Sequence, residues 1–314
     1  MQIAPGMALP ENAGFYPSLL PIMSQPALDL DLLKQWVGRT ESREDLIHAG
    51  MVNAMAATLD RDEHYRAGDP LPAIWHWLFF WAVSPASGIG PDGHPKRGGF
   101  LPPVELPRRM WAGGRLKFNA PLPVGANAKR VSTIQDVNAK TGSTGRLAFV
   151  TVAHDISVNG TVAVREEHDI VYRDNPQPGA APAAPKAAPT DAQWSRKIVP
   201  DPVLLFRYSA LTFNGHRIHY DRSYTTEVEG YPGLIVHGPL IATLLMDLVR
   251  RELPQRAVRE FSFRAVSPTF DIDSFSVNGK LSDDGKLSDD GKQVQLWAAN
   301  HRGELTMQAE AVLA

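Results

Sequence analysis

The chain has 314 residues, of which 43% are hydrophobic, a net charge of −2 with histidine neutral, and no cysteine. This composition excludes disulfides, thiolate nucleophiles and cysteine-held metals, and it offers no basic field to attract nucleic acid or an anionic membrane. The length accommodates two domains or one large one with a sizeable core, and the absence of cysteine fits a reducing cytoplasm.

Residues 1–30, beginning MQIAPGMALPENAGFYPSLLP, place no basic stretch ahead of an apolar one, so they read as a leader or arm and not as a secretory signal. Two apolar helical candidates follow, Asp45 to Leu59 and Ala73 to Val83. The second lies in PAIWHWLFFWAVSPA, which is too short to span a membrane, holds His76 and is closed by Pro85. Next come long stretches rich in Val, Ile, Thr and Phe: GRLKFNAPLPVGANAKRVSTIQDV, then GRLAFVTVAHDISVNGTVAVREEHDIVYR. Their partial alternation predicts strands, and VNGT within the second predicts a hairpin.

Residues 175–190, NPQPGAAPAAPKAAPT, carry almost no side chains able to pack and read as a semi-extended linker crossing the surface. They divide the chain into residues 31–174 and 191–314. The second half repeats the order of the first. The segment GPLIATLLMDLVRREL predicts a helix with Leu240, Leu244, Leu245 and Leu248 on one face. REFSFRAVSPTFDIDSFSVNGKL and QVQLWAANHRGELTMQAEAVLA predict strands, with HRGE as a turn. Helix followed by antiparallel strands, twice, predicts an α+β duplication, two units side by side with their sheets joined. The tandem GKLSDDGKLSDDGK, residues 279–292, reads as a solvated loop between two strands. A calcium loop would need a terminal Glu and a spacing that it lacks.

The chemistry concentrates in TFNGHRIHYD, Thr212 to Asp221, followed by YPGLIVHGPL. His219 titrates near neutral pH, whereas Asn214 can donate and accept but cannot ionise. Gly238 follows His237 at a predicted helix start, where N–H groups lack partners. An acid/base group, a water-orienting amide and an oxyanion site are what addition of water to an activated C=C bond requires. Gly238 as a plain helix start is the simpler alternative. The spacing of His216 and His219 also suits two metal ligands, with His237 or Asp221 as a third, but no established metal motif fits.

These segments resemble the MaoC-like hydratase/dehydratase family, in particular its branch of mitochondrial-type 3-hydroxyacyl-thioester dehydratases. WVGRTE, AMAATLD, GDPLP, WHWLFF, GPDGHPKRGGFLPP, PRRMWAGGRLKF and DIVYR extend the resemblance over most of the chain. It implies a double hot-dog, each unit a helix wrapped by a curved antiparallel sheet. It also implies a cofactor-free hydro-lyase acting on an acyl thioester. Bacterial members of the branch hydrate itaconyl-CoA or mesaconyl-CoA to citramalyl-CoA. The family's common pattern has Asp and, five residues on, His; the matching positions here are Asn214 and His219. Its oxyanion glycine matches Gly238 and its Asn matches His216, and Asp221 is close enough in sequence to orient an imidazole.

The departure at Asn214 leaves general-base duty to His219. The first half has no copy of the cluster, so it is expected to shape the acyl pocket. Lys96, Arg97, Arg108, Arg109 and Arg115 are candidates for CoA phosphates or a second acyl carboxylate, through the planar guanidinium fork in the arginines. Arg217, Asp221 and His237 complete the substrate-binding candidates, and solvated loop charges are the alternative for the cations. A fatty-acid 3-hydroxyacyl-ACP or -CoA dehydratase, a hot-dog thioesterase and a non-catalytic acyl-CoA binder are the competing functions. Neither nucleic acid nor membrane is expected as a partner, and a homo-oligomer is left open.

Overall fold

The computed structural model describes residues 28–142, 145–175, 184–282 and 292–314. Among these residues ten strands form one antiparallel sheet, built from two copies of the same topology. The first copy runs β1 (Thr40–Leu46), α2 (Ala49–Thr58), β2 (Arg108–Phe118), β3 (Asn127–Gly142), β4 (Gly145–Val158) and β5 (Thr161–Arg173), after a short helix α1 (Leu30–Lys34). The second runs β6 (Trp194–Ile198), α3 (Pro202–Leu211), α4 (Gly238–Glu252), β7 (Val258–Ala265), β8 (Phe275–Leu281), β9 (Gln293–Ala299) and β10 (Leu305–Leu313). The sheet order is β1-β3-β4-β5-β2-β7-β10-β9-β8-β6, so each half has the same internal order and the halves meet at β2 and β7. Gly113 pairs with Arg264 and Lys117 with Glu260 across that seam. This is an α+β double hot-dog with its two sheets fused into one.

The central helix of the second half, α4, is buried at every position from Leu240 to Val249. That all-round burial exceeds the single apolar face expected from the leucine spacing, and it is what a helix enclosed by a curved sheet requires. Its one buried acid, Asp247, meets three guanidinium groups: Arg61 at 2.8 Å, Arg196 at 3.2 Å and Arg251 at 2.7 Å. Arg61 comes from the first half, so this buried charge also ties the halves together.

Two helix boundaries differ from the sequence reading. The first helix begins at Ala49, because Asp45 belongs to β1. Ala73 to Val83 is not a helix but a single 3-10 turn over Trp75–Leu78. Left-handed backbone at Ile74 (φ 63°) and Phe80 (φ 62°) cuts it short. Polar anchoring then fixes it: the ring nitrogens of His76 and Trp77 both lie 2.9 Å from Oε2 of the buried Glu166. The strands β1 and β6 were not foreseen. The VNGT hairpin forms with Asn159 (φ 50°) and Gly160 (φ 80°) joining β4 to β5, and HRGE turns between β9 and β10.

Half of the expected linker, residues 176–183, and most of the tandem repeat, residues 283–291, lie outside the described residues. Ala187 bridges Glu304, and the first three residues of the repeat, Gly279 to Leu281, are not loop but the end of β8, paired with β9. No helix among the described residues is long and apolar enough to cross a membrane.

Candidate active site

The site is assembled at the C-terminal end of α3 and the N-terminal end of α4. Asp201 caps α3 by accepting from the amides of Val203 and Leu204 at 2.8 and 2.9 Å, with Pro202 opening the helix. At its far end the chain leaves through Phe213, a non-glycine residue at φ 50°. The Trp81 ring of the first half stacks on Phe213 at 4.9 Å, so the WHWLFFW segment supports this bend. The Asn214 amide donates to the Ser209 carbonyl at 2.8 Å, and its side-chain oxygen accepts from the His216 amide at 3.0 Å. The local Asx turn projects His216 and His219 toward the start of α4.

His219 is buried, and its Nδ1 lies 2.7 Å from the Ile235 carbonyl. A carbonyl only accepts, so Nδ1 carries the proton and Nε2 keeps a lone pair. His219 stacks on His237 at 3.8 Å, and His237 is held through Nε2 by the Ser209 hydroxyl at 2.7 Å. His237 is the N-cap residue of α4, which places Gly238 directly beside the stacked imidazoles. A Cβ on Gly238 would meet nothing nearer than Met307 Cε at 4.0 Å, so the start of the helix is open. Burial pushes the His219 imidazole down to about 3; the nearby imidazoles of His216 and His94 add to this, against the Ile235 hydrogen bond. His216 is also pushed down to about 3, by burial first and then by His94, with Arg109 and His237 assisting against Asp92. His237 is driven well below its ordinary range by burial and by His219. All three rings are therefore neutral at neutral pH, and His219 is an unprotonated base with a fixed tautomer.

The sequence reading missed two residues of this cluster, Asp92 and His94, supplied by the first half. Residues 89–95 form a tight loop in which Ile89 bridges Pro95, and it docks on the motif through the backbone. The Arg217 amide donates to the Asp92 carbonyl at 2.9 Å. The His94 ring lies 4.0 Å from that of His216, which is 5.4 Å from that of His219. Asp92 Oδ2 accepts from His94 Nδ1 at 3.0 Å. Burial would raise the Asp92 carboxyl, but the side-chain and backbone hydrogen bonds from His94 hold it well below the usual range. The donor atoms of Asp92, His94 and His216 lie within 4.8 Å of one another. Within the group Asp92 is already paired with His94 through Nδ1. The one clue in the sequence was the paired turn glycines of GPDGHP.

The other expected residues divide. Arg217 is braced by Asp221 at 2.7 Å and by the Pro91 carbonyl at 2.9 Å, and lies over the Tyr224 ring. Asp221 also accepts from the Tyr224 amide and the Ser223 hydroxyl, so it orients Arg217 and a turn, not an imidazole. Arg108 spans the halves, donating to the Tyr231 hydroxyl at 2.8 Å and the Glu229 carbonyl at 3.2 Å. Arg97 donates to the carbonyls of Val104 and Pro107, with its guanidinium 5.9 Å from the centre of the buried Tyr172 ring. Arg109, opposite Tyr172 across β2 and β5, is half-buried and has no carboxylate partner among the described residues. Arg115 is paired with Glu167 and Asp169 in a charged hollow that shares no residue with the histidine cluster. Lys96 reaches the Ser87 carbonyl at 2.9 Å.

Residues 74–271 match the family model described as hydroxyacyl-thioester dehydratase type 2, a span of more than half the chain. The chain belongs to the hydroxyacyl-thioester dehydratase type 2 family. It is 47% identical over 250 residues to a mesaconyl-C(4)-CoA hydratase of Chloroflexus aurantiacus, covering 79% of this chain and 89% of the relative. It is 30% identical over 220 residues to the mitochondrial hydroxyacyl-thioester dehydratase type 2 of Schizosaccharomyces pombe, covering 62% and 73%. A MaoC-like dehydratase from Phytophthora capsici superposes with a TM-score of 0.64 at 13% identity, covering 91% of this chain and 99% of that one, and shares the fold.

Proposed function

We propose that the protein is a hydro-lyase that reversibly adds water to the C=C bond of a short dicarboxylic enoyl-CoA, mesaconyl-CoA or itaconyl-CoA, giving citramalyl-CoA. The observation that carries this reading is His219. Its Nδ1 is committed to Ile235, its Nε2 is a free base, and it sits beside an open helix N-terminus. In this reading Nε2 takes a proton from water as the oxygen attacks the β-carbon. The negative charge that develops on the thioester oxygen is met by the unpaired amide at Gly238 and the positive end of α4. Asn214 orients the water through its side-chain amide, and His216 and His237 hold the wall of imidazoles. The 47% identity to a mesaconyl-C(4)-CoA hydratase supports the dicarboxylic substrate. Arg109, lacking an acidic partner among the described residues, is the group that would meet the second carboxylate or a CoA phosphate. Residues 191–314 form the catalytic half and residues 31–174 the pocket half, working in the cytoplasm.

The test is incubation with mesaconyl-CoA, itaconyl-CoA and crotonyl-CoA, following C=C absorbance and free thiol together. Loss of absorbance without thiol, fastest with a dicarboxylic substrate, is the expected result. Thiol release would make the protein a thioesterase. Faster turnover of crotonyl-CoA would favour the monocarboxylic dehydratase reading, and binding without either signal would leave a non-catalytic binder.

A further inference from the structure

Hydration of an enoyl thioester moves two protons. One leaves the attacking water, and one must reach the α-carbon. His219 accounts for the first. Within the second-half motif Asn214 cannot ionise, Asp221 is committed to Arg217 and the turn at Tyr224, and the His216 ring has no hydrogen-bonded carboxylate among the described residues to hold it charged. The first half, however, brings a carboxylate–imidazole pair to the same wall.

We propose that His94, oriented by Asp92 and delivered by the docked loop of the first half, is the second acid/base residue of the site and protonates the α-carbon. The inference rests on the hydro-lyase reading above. Asp92 accepts the Nδ1 proton of His94 at 3.0 Å, so His94 Nε2 is the working nitrogen, and the carboxylate supplies the counter-charge for an imidazolium. The arrangement is a base held by an orienting acid, the same logic by which a buried carboxylate fixes an imidazole tautomer elsewhere. Its delivery is specific. The Arg217 amide and guanidinium clamp the carbonyls of Asp92 and Pro91 at 2.9 Å each, directly before His94. The groups facing His94 are Asp92 from its own loop and His216 and His219 from the motif, with Arg109 of β2 acting on His216 from beyond.

The proton count closes. His219 removes one proton from water as the C–O bond forms at the β-carbon and the π electrons move to the thioester oxygen. The enolate then collapses, and the α-carbon takes the proton from His94 Nε2. His219 is left protonated and His94 neutral. The His216 ring, 4.0 Å from one and 5.4 Å from the other, lies between them to return the proton. Asp92 is a positioning residue, since it acts through His94. The catalytic centre is then shared between the two halves, although only one carries the motif.

The two proton transfers can be read separately. Methylsuccinyl-CoA, the saturated counterpart of mesaconyl-CoA, has an α-proton but no C=C bond, and its exchange in D₂O is followed by NMR. His94→Gln is expected to lower both hydration kcat and α-proton exchange by ~10²-fold or more. His219→Gln is expected to abolish hydration yet leave exchange within a few-fold of wild type. Asp92→Asn should lower kcat with KM little changed, and free imidazole should restore turnover to His94→Gly, which a purely structural histidine would not allow. Thermal melts of each variant report folding. If His94→Gln hydrates within about threefold of wild type, or if exchange is lost in His219→Gln and kept in His94→Gln, the assignment is overturned. Loss of wild-type activity on adding a chelator would overturn it too, by making Asp92, His94 and His216 a metal site. Failure of wild type on every enoyl-CoA would instead sink the functional reading itself.

Discussion

Gly93 and Gly215 touch through their backbones across the two halves of the molecule: a Cβ built on Gly93 would stand 1.9 Å from the Gly215 carbonyl oxygen. Gly93 also sits at φ +89°, where a side chain costs ~1–3 kcal/mol of backbone strain. Only glycine permits the loop to dock so closely on the motif that carries His216 and His219. Gly93→Ala should therefore displace the loop while leaving both cores intact. Since a shift of about an ångström at a reacting group can cost ~10²-fold in rate, kcat should fall by roughly that factor. Melting temperature should fall only modestly. Steady-state kinetics and a thermal melt on the same sample decide it, and an unchanged kcat would mean that the docked loop is idle.

His219 is the base, so His219→Gln should lower kcat by ~10²–10⁴-fold with little change in KM. Glutamine keeps a donor for the Ile235 carbonyl but offers no basic nitrogen. Because burial holds the His219 imidazole near 3, its proton is absent throughout the neutral range. The kcat/KM of the wild type should then show no acidic limb from His219 between pH 5 and pH 7, a range chosen on the ordinary histidine value of ~6.5. A limb centred near that ordinary value would mean that the ring is far more hydrated than its burial indicates.

Much of this was legible in the residues, and the failures are informative. The α4 segment could be read because the residues from Leu240 to Glu252, behind an opening Gly-Pro, repeat leucine at helical spacing without a breaker, and the β4–β5 hairpin because Asn-Gly interrupts two alternating runs. β1, TESREDL, escaped because it is an edge strand whose half-buried face carries the charged Glu41, Arg43 and Asp45 while Leu46 is exposed; its alternation is of burial and not of hydrophobicity. The WHWLFF turn was misread as helix because apolar content says nothing about Glu166, ninety residues away, which anchors His76. Asp92 and His94 lay hidden for the same reason: their partner His216 is distant in sequence, and a loop has no period.

The buried imidazoles set a stability limit. His216 and His219 titrate near 3 when folded and near ~6.5 when unfolded. Between those values the unfolded chain holds more protons, so stability rises with pH; it is fully present above about 6.5 and lost on acidification toward 3. Each ring contributes a slope of ~1.4 kcal/mol per pH unit within that window. Urea midpoints measured from pH 7.5 down to pH 4.5 should fall, and less steeply in His219→Gln than in wild type. Parallel slopes would show that His219 is not buried neutral.

Asp247 provides a test of how the halves are held. It is 1% exposed and meets Arg61, Arg196 and Arg251. Removing one partner of a buried ionic group typically costs ~3–5 kcal/mol, because the remaining charges lose their compensation. Asp247→Ala leaves three guanidinium groups facing one another and should destabilise by about that amount in denaturant unfolding. Arg251→Met leaves two of the three partners and should cost less. Equal costs would mean that the other two arginines add nothing.

Asn214 joins the fold of the loop to its chemistry. Its side-chain oxygen accepts from the His216 amide at 3.0 Å, which fixes the turn, and that oxygen retains a second lone pair for water. The two duties separate by substitution. Asn214→Asp keeps an acceptor for the His216 amide and changes almost no volume, so the loop should stay in place and the protein should melt like wild type. It adds a negative charge to the turn that carries His216 and His219, and a nearby carboxylate favours the imidazolium. The acidic limb of kcat/KM should therefore move to higher pH, with activity persisting above it. Asn214→Leu keeps the bulk but removes both hydrogen bonds. The His216 amide is then unpaired, the turn loosens, and water loses its orienting group. The expected result is a kcat reduced by ~10²-fold while KM changes little, as for an interaction that matters chiefly in the transition state. If Asn214→Leu and Asn214→Asp both turn over at the wild-type rate, water is positioned by another group, and the nearest titratable neighbours on this wall are His216 and His94.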